Sequence, residues 1–260
     1  MGALLREILE MPVGSGRIAV WSLGQAGYVY KFPSGKVALI DPYITDYCER
    51  QIGPAFKRLA PSLISPRELG QLPIAAYLVT HHHEDHLDAD CVQQMQSGNF
   101  PFYAPPETIR RLNEWGVAEE RCRPLLAGSV ERRGEFTIFG VYADHGELAP
   151  DAIGIIVQAG DKAVYHMGDT CLREAEFRKN TAGFRIDLLL APINGRYGNM
   201  NEAEAAAATE IVNPAYAAPC HFWMLPGNSG GDPLQFVEAV EKRAPQTTPF
   251  LFRQGEALLL

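Results

Sequence analysis

Cysteine is scarce in this sequence, and acidic residues outnumber basic ones. The five cysteines among 260 residues include no Cys-x-x-Cys pair, and an odd, widely spaced set is atypical of a disulfide framework. The 23 lysines and arginines face 31 aspartates and glutamates, which gives a net charge of −8. Proteins that bind the phosphate backbone of nucleic acids normally carry a basic field, so we expect no nucleic-acid partner.

Long apolar runs are also missing. Every apolar run is far shorter than the roughly 20 residues that a membrane-spanning helix requires, so no membrane partner is expected. The first residues carry Arg6, Glu7 and Glu10 within their apolar stretch, which is unlike a secretory signal peptide. Together with the absence of a disulfide pattern, these features predict a cytoplasmic protein.

Short apolar strands alternate with segments of helical spacing, which is typical of an α/β (α+β) fold. The runs 18–30 and 37–40 predict a hairpin around Pro33-Ser34-Gly35. No repeat and no low-complexity linker divides the sequence, so we expect a single domain over residues 1–260. Further predicted strands cover 74–80, 100–104, 136–143, 152–159, 162–166, 186–190, 215–219 and two short segments within 250–260, and predicted helices cover 87–96, 106–115, 202–212 and 233–243.

The segment Thr80-His81-His82-His83-Glu84-Asp85-His86 follows the predicted strand 74–80 directly. Imidazole and carboxylate groups together suit a borderline divalent metal such as zinc, manganese or iron. In a turn between strand and helix, His81 and His83 would face one position, and Asp85 and His86 a second one nearby. A surface loop of histidines and acids without function is the alternative, but the preceding apolar strand favours a metal site.

Three further candidate donors also follow predicted strands: His145, Asp169 and His221. A single histidine at a strand end is usually a structural hydrogen-bonding residue. Because all three recur at the same kind of position as the histidine cluster, we expect them to gather at one edge of a sheet.

The pattern H-x-H-x-D-H at residues 81–86, followed by His145, Gly168-Asp169-Thr170 and His221, resembles the metallo-β-lactamase superfamily over essentially the whole chain. Three further segments, at 21–27, 116–122 and 165–169, are most similar to the L-ascorbate-6-phosphate lactonase group. Enzymes of that group are longer and carry a carboxylate near the position of His145. The resemblance implies an αββα four-layer sandwich with a dinuclear site at one edge.

The resemblance also implies a ligand set for two divalent metal ions per chain, zinc or manganese. One ion would be held by His81, His83 and His145, and the other by Asp85, His86 and His221, with Asp169 bridging them. The two divalent ions would bring four positive charges, and Asp85 and Asp169 would contribute two negative charges. The remaining excess of about +2 favours a bridging hydroxide as nucleophile. Asp85 could then pass a proton to the leaving group, so Asp85 and Asp169 are the predicted catalytic residues.

Four other residues are candidates for supporting roles. Asp41, after the strand 37–40, resembles the family's buried aspartate that orients a metal-binding histidine, and a turn-capping role before Pro42 is the alternative. Asn194, Arg196 and Tyr197 precede an alanine-rich helix and are candidate substrate-binding residues, because arginine pairs well with phosphate or carboxylate. A solvated surface arginine is the alternative for Arg196.

These features together predict a dinuclear metal-dependent hydrolase that opens a lactone or ester in a small, anionic substrate. A metal-dependent phosphodiesterase or nuclease of the same superfamily is the alternative among enzymes. A non-catalytic, metal-stabilised binding module is the alternative of another class. Assembly into a homo-oligomer is left open.

Overall fold

The structure, a computed structural model, describes residues 1–227 and 230–260. The described residues form two mixed β-sheets of seven strands each. In chain order the strands are β1 (Ala19–Gly24), β2 (Gly27–Lys31), β3 (Val37–Ile40), β4 (Ile74–Leu78), β5 (Phe102–Ala104), β6 (Cys122–Pro124), β7 (Val130–Arg133), β8 (Phe136–Tyr142), β9 (Ile153–Ala159), β10 (Lys162–His166), β11 (Leu188–Pro192), β12 (Tyr216–Cys220), β13 (Thr248–Pro249) and β14 (Ala257–Leu259).

The α-helices of the described chain are short, and none of them has both the length and the apolar character to cross a membrane. They are α1 (Ala3–Glu10), α2 (Tyr47–Gln51), α3 (Pro66–Leu69), α4 (Ala89–Gln94), α5 (Pro106–Glu114), α6 (Glu174–Asn180), α7 (Glu202–Val212) and α8 (Pro233–Arg243). Asn201 caps the start of α7, since its side chain accepts a hydrogen bond from the backbone N–H of Glu204.

Strand direction brings several strand ends to one edge of the molecule. The first sheet has the order β14-β1-β2-β3-β4-β5-β6, and the second has the order β13-β12-β11-β10-β9-β8-β7. Strands β3 to β6 are parallel to one another, as are β10 to β13. Strand β8 is antiparallel to β9, which is itself antiparallel to β10, so β8 and β10 point the same way. The loops that follow these strands therefore lie near one another.

Three apolar layers confirm the predicted αββα sandwich. Successive side chains on a strand point to opposite faces, so Val20 lies in the core between the sheets while its neighbour Trp21 lies in the core under the first helix layer. On the other side of the molecule, Phe177 and Phe236 of α6 and α8 pack against the outer face of the second sheet. The five cysteines are all described and all free.

Several boundaries differ from the sequence-based prediction. Residues 18–30 are not one strand but two, β1 and β2, joined by a tight turn at Gln25-Ala26 between the paired Gly24 and Gly27. The hairpin around Pro33-Ser34-Gly35 is confirmed as β2–β3. Helices α1, α2 and α6 and strands β6 and β7 were not anticipated. The first of the two predicted tail strands was wrong, because β13 ends at Pro249, before residue 250.

Lys31 is a buried lysine that fixes α1 to the first sheet. Its Nζ donates to the backbone oxygens of Ile8, Leu9 and Met11 at 2.6, 2.9 and 2.7 Å. These carbonyls belong to the carboxyl end of α1, where backbone acceptors lack helical partners and attract a cation. Burial lowers the pKa of Lys31 from its usual value.

Substitution of Lys31 by methionine is expected to destabilise the protein. Methionine keeps the apolar stem but leaves three carbonyls unpaired, and hydrogen bonds to a charged group contribute about 1.5–3 kcal/mol each before the gain from not burying a charge. We expect a net loss of about 2–3 kcal/mol in the free energy of unfolding by urea denaturation. The exposed Lys36 offers the control Lys36→Met, and equal effects of the two substitutions would contradict the role given to Lys31.

Candidate metal centre

Seven histidine and aspartate side chains meet at the shared edge of the two sheets. They are carried by the loops that follow β4, β8, β10 and β12. They form three groups that share members, and within each group the three donor atoms lie within 4.8 Å of one another. The groups are His81, His83 and His145; His81, His86 and Asp169; and Asp85, His86 and His221. The structure thus brings together all seven residues that the sequence pattern selected.

Three histidines form the first of these groups. The Nδ1 atom of His83 lies 3.0 Å from Nε2 of His81 and 3.3 Å from Nε2 of His145. The other ring nitrogen of His83 lies 3.2 Å from the backbone oxygen of Leu148. A carbonyl can only accept, so Nε2 of His83 carries the proton and Nδ1 presents a lone pair. This is the arrangement that a metal-binding imidazole requires.

Asp85, His86 and His221 form a second cluster beside the first. The Nε2 atom of His221 lies 2.9 Å from Oδ2 of Asp85, and Nε2 of His86 lies 3.8 Å from the same oxygen. All three side chains are buried. Here Nε2 of each histidine is the atom that faces the carboxylate.

Asp169 lies between the two clusters and approaches both. Its Oδ1 is 3.2 Å from Nε2 of His86, and its Oδ2 is 3.3 Å from Nε2 of His221 and 3.7 Å from Nε2 of His145. Asp169 follows Gly168, whose φ is +65°, and a Cβ atom at that glycine would lie 2.7 Å from the backbone oxygen of Ile153. Only glycine fits there without a shift, and this close approach fixes the start of the Asp169 loop.

Unpaired polar atoms in the cluster fit a cation. Three buried atoms have no hydrogen-bond partner within the described residues: Nε2 of His86, Nε2 of His221 and Oδ1 of Asp169. Both of these nitrogens nevertheless lie within 3.3 Å of a carboxylate oxygen of Asp169. Buried polar atoms are rarely left unsatisfied. A set of five imidazoles and two carboxylates is also the donor chemistry of zinc, manganese or iron.

The electrostatics of the cluster point the same way. Burial opposes the charged form of His221, but Asp169 and Asp85 outweigh it and raise the pKa of His221 to about 9. For His86, burial is likewise outweighed by Asp169, Asp85 and Asp41, so its pKa lies well above the usual value. The buried carboxylates therefore favour positive charge at this place, which a bound cation would supply.

Asp41 contacts a histidine of the cluster. Its Oδ2 lies 2.7 Å from Nδ1 of His86 and accepts a hydrogen bond from Oγ1 of Thr80, while its Oδ1 accepts from the Thr80 backbone N–H. Of the two alternatives considered for Asp41, the contact with His86 is the one present. A carboxylate at Nδ1 fixes the ring so that Nε2 faces the cluster. Thr80, which was not predicted to contribute, holds this carboxylate in place.

Three non-glycine residues with positive φ lie in the cluster or in contact with it. Gln25, Asp41 and His221 have φ values of 52°, 44° and 59°. Side chains other than glycine rarely adopt this left-handed region, and such strained positions concentrate at functional sites. The backbone N–H of His221 donates to the oxygen of Gln25 at 3.0 Å, so the strained turns of the two sheets hold each other.

Two carboxamides hold the two aspartates of the donor set. Nε2 of Gln25 donates to Oδ2 of Asp85 at 2.8 Å, and Nδ2 of Asn199 donates to Oδ2 of Asp169 at 2.7 Å. A neutral donor orients a carboxylate without cancelling its charge. Gln25 was missed because residues 18–30 were interpreted as one strand, although Gly24 and Gly27 on either side of Gln25-Ala26 are a turn signal.

Loss of either carboxamide is expected to weaken metal binding. Gln25→Leu and Asn199→Leu keep the approximate volume but release one aspartate, and removal of such a hydrogen-bonding partner typically costs about 10–100-fold in metal affinity. Competition with a chelator of known affinity measures the change. Gln71→Leu is the matched control, because the Gln71 amide donates only to the exposed backbone oxygen of Arg67. Unchanged affinity in both variants would contradict the role proposed for the carboxamides.

A cleft of about 190 Å³ opens onto the cluster. Apolar side chains form part of its lining, and the remaining lining residues are donors or acids; the lining is Ile52, Phe56, His83, Glu84, Asp85, His145, Leu148, Asp169 and Tyr197.

One of the three predicted substrate-binding residues lines this cleft, and the other two do not. Tyr197 lines it, whereas Asn194 and Arg196 are not among its lining residues. Arg196 is exposed, and its Nη1 lies 3.4 Å from the backbone oxygen of Gly227. Asn194 is buried at the end of β11, and both polar atoms of its side chain lack a partner within the described residues.

Two other histidines lie outside the donor groups. Nε2 of His166 donates to the backbone oxygen of Ala26, and Nδ1 of His166 accepts from the N–H of Gly168, so its ring joins the two sheets. His82 is half-buried, and burial followed by the neighbouring Arg111 lowers its pKa to about 4.

Sequence comparison gives a family for this chain. Residues 38–222 match the profile of the Beta-lactamase superfamily domain. A UPF0173 metal-dependent hydrolase of Caldivirga maquilingensis is 28% identical over 239 residues, which cover 92% of this chain and 96% of that protein. A second UPF0173 metal-dependent hydrolase, from Cupriavidus necator, is 30% identical over 244 residues and covers 85% of this chain and 80% of its own length.

Structural comparison gives the same fold. Igni18, described as a novel metallo hydrolase from the archaeon Ignicoccus hospitalis, is similar with a TM-score of 0.76 and 24% identity over 94% of this chain and 98% of its own. A possible metal-dependent hydrolase from Veillonella parvula has a TM-score of 0.77 at 16% identity and covers 95% of this chain and 100% of its own. The predicted grouping with L-ascorbate-6-phosphate lactonases is not confirmed. The chain belongs to the metallo-β-lactamase superfamily and, within it, to the UPF0173 family of metal-dependent hydrolases.

Proposed function

We propose that this metal-dependent hydrolase opens a lactone or ester with two divalent cations, zinc or manganese. The observation that carries the proposal is the convergence of seven donors, four of which line a cleft. His81, His83 and His145 would hold one cation, and Asp85, His86 and His221 the other. Asp169 lies within reach of both groups and would bridge them.

The chemistry divides between the cations and the protein. When bound, the cations would lower the pKa of water from about 16 toward 7 and polarise the scissile carbonyl. The protein fixes the imidazole tautomers through Asp41 and Leu148 and orients the carboxylates through Gln25 and Asn199. Asp85 lines the cleft, so its carboxylate could receive a proton and return it to the leaving group.

A carbonyl substrate is favoured over a phosphodiester by the charge of the cleft. Among the described residues its lining includes no lysine or arginine, and it includes Glu84 in addition to Asp85 and Asp169, which would be bound to the cations. Enzymes of phosphoryl transfer usually place a cationic side chain on the transferring group, in addition to metal. The anionic substrate and the phosphodiester alternative predicted from the sequence find no such partner here.

Metal analysis followed by a substrate panel tests the proposal. Protein purified without added metal and then loaded with zinc or manganese should bind two equivalents and hydrolyse γ-butyrolactone or p-nitrophenyl acetate faster than bis-p-nitrophenyl phosphate. Turnover by metal-free protein would refute the metal mechanism. A preference for the phosphodiester would replace lactone or ester opening by phosphodiester hydrolysis, and a loaded protein without any turnover would favour a binding module.

A further inference from the structure

Four apolar side chains line the cleft together with residues of the donor cluster. They are Ile52, Phe56, Leu148 and Tyr197, and they come from three separate segments of the chain. We call these four residues the apolar wall. Ile52 follows α2, Phe56 belongs to the 3₁₀ turn Pro54–Phe56, Leu148 ends the 3₁₀ turn Gly146–Leu148, and Tyr197 lies in the loop after β11.

The apolar wall is unusually exposed for residues of its size. Ile52, Leu148 and Tyr197 remain 48%, 50% and 51% exposed. Single exposed apolar residues are common, but a cluster around one opening marks a place where apolar groups of a ligand bind. Tyr197 also has a φ of +53°. This strained conformation costs stability, and such conformations concentrate at functional sites.

The apolar wall is fixed to the donor cluster rather than free. The backbone oxygen of Leu148 is the partner of His83, and Asn199, two residues after Tyr197, holds Asp169. Near Phe56, the N–H of Gly227 donates to the oxygen of Ala55 at 2.7 Å. A Cβ at Gly227 would lie 2.2 Å from that oxygen, so this contact requires glycine.

Two arginines adjoin lining residues of the cleft, and both contact other groups of the protein. Arg196, next to Tyr197, is directed to the backbone oxygen of Gly227. Arg111 lies 3.7 Å from the Glu84 carboxylate and also contacts Glu107. Glu84 itself would repel a carboxylate or phosphate on the substrate.

We infer that the cleft selects uncharged substrates that carry an apolar group beside the scissile carbonyl. The apolar wall would bury that group, and the Glu84 carboxylate beside it would disfavour a charged one. The inference deepens the proposed function and rests on it for the position of the carbonyl. It concerns recognition, so it can be tested by binding as well as by turnover.

Alkyl hydroxamates test the inference without catalysis, because their head group chelates the cations and their tail enters the cleft. Affinities of acetohydroxamate and butanohydroxamate for the metal-loaded protein are measured by calorimetry. Burial of one methylene contributes about 0.8 kcal/mol, or about fourfold in affinity, so butanohydroxamate should bind about 15-fold more tightly. Succinic acid monohydroxamate, which replaces the terminal methyl of the butanoyl chain by a carboxylate, should bind at least about tenfold more weakly than butanohydroxamate.

Two variants of the apolar wall and one control sharpen the test. Leu148→Asn should reduce the gain from acetyl to butanoyl to about fourfold or less, and Ile52→Lys should improve succinic acid monohydroxamate relative to butanohydroxamate. Both positions are half exposed, so the fold should tolerate them. Leu234→Asn, at a 64% exposed position on α8 outside the cleft lining, should change nothing.

The outcomes separate this inference from the proposed function. Equal or tighter binding of the carboxylated hydroxamate, no dependence on chain length, or no binding at all would overturn the inference. Chain-length dependence without any turnover of lactones or esters would support it and refute the proposed function. Turnover that favours carboxylated esters would support the hydrolase and overturn the selection of uncharged substrates.

Discussion

Asp169→Asn is expected to lower kcat/KM by about a thousandfold or more. In the proposed function Asp169 would neutralise and space two cations, and metal assistance contributes several kcal/mol to such a reaction, at about 1.4 kcal/mol per tenfold in rate. The amide has nearly the same shape but no charge. The metal content of the variant should fall below two equivalents, as measured by elemental analysis.

The matched control for this substitution is Asp161→Asn. Asp161 is exposed in the turn between β9 and β10, so the same chemical change there should leave kcat/KM and metal content unaltered. An Asp169→Asn protein with full metal content and wild-type kcat/KM would show that Asp169 does not bridge the cations.

Removal of the cations is expected to lower the midpoint of thermal unfolding by roughly 8–16 °C. A ligand present at a thousand times its dissociation constant stabilises the folded state by about 4 kcal/mol, and each kcal/mol shifts the midpoint of a protein of this size by about 2–4 °C. The physical cause is that Asp85 and Asp169 are buried and would lose the countercharge of the proposed cations.

Calorimetric scans of metal-loaded and chelator-treated protein measure this shift, and addition of zinc or manganese should restore the higher midpoint. His82→Asn is the control, because His82 lies within the histidine segment but outside the three donor groups. It should retain the full metal-dependent shift. A midpoint that does not respond to the chelator would contradict a structural contribution of the cations.

The identity of the donors was predictable from the sequence because it depends on local features. An apolar run such as 74–80 predicts a strand, and the polar residues that follow it must lie at a sheet edge. The H-x-H-x-D-H motif places three histidines and an aspartate within six residues, and these side chains are typical metal ligands. The order of strands and helices predicted only a mixed α/β domain, and the αββα class came from the resemblance of the donor motif to the metallo-β-lactamase superfamily.

The supporting residues were less predictable because they depend on distant contacts. Gln25 meets Asp85 across 60 positions, and Asn199 meets Asp169 across 30. The apolar wall also joins three segments that lie far apart in the sequence. In the loop before α7, the sequence offered Asn194, Arg196 and Tyr197 as equals, and only the tertiary structure distinguishes Tyr197 as part of the cleft.

The sequence by itself therefore determined which side chains can bind metal and that each follows a strand. The tertiary structure decided that the strands of two different sheets end at one place, which carboxamides hold the aspartates, and that the opening is apolar and acidic rather than basic. The physical reason is that donor chemistry belongs to a single side chain. The environment of a site, in contrast, is created by strand pairing and sheet packing between residues far apart in the chain.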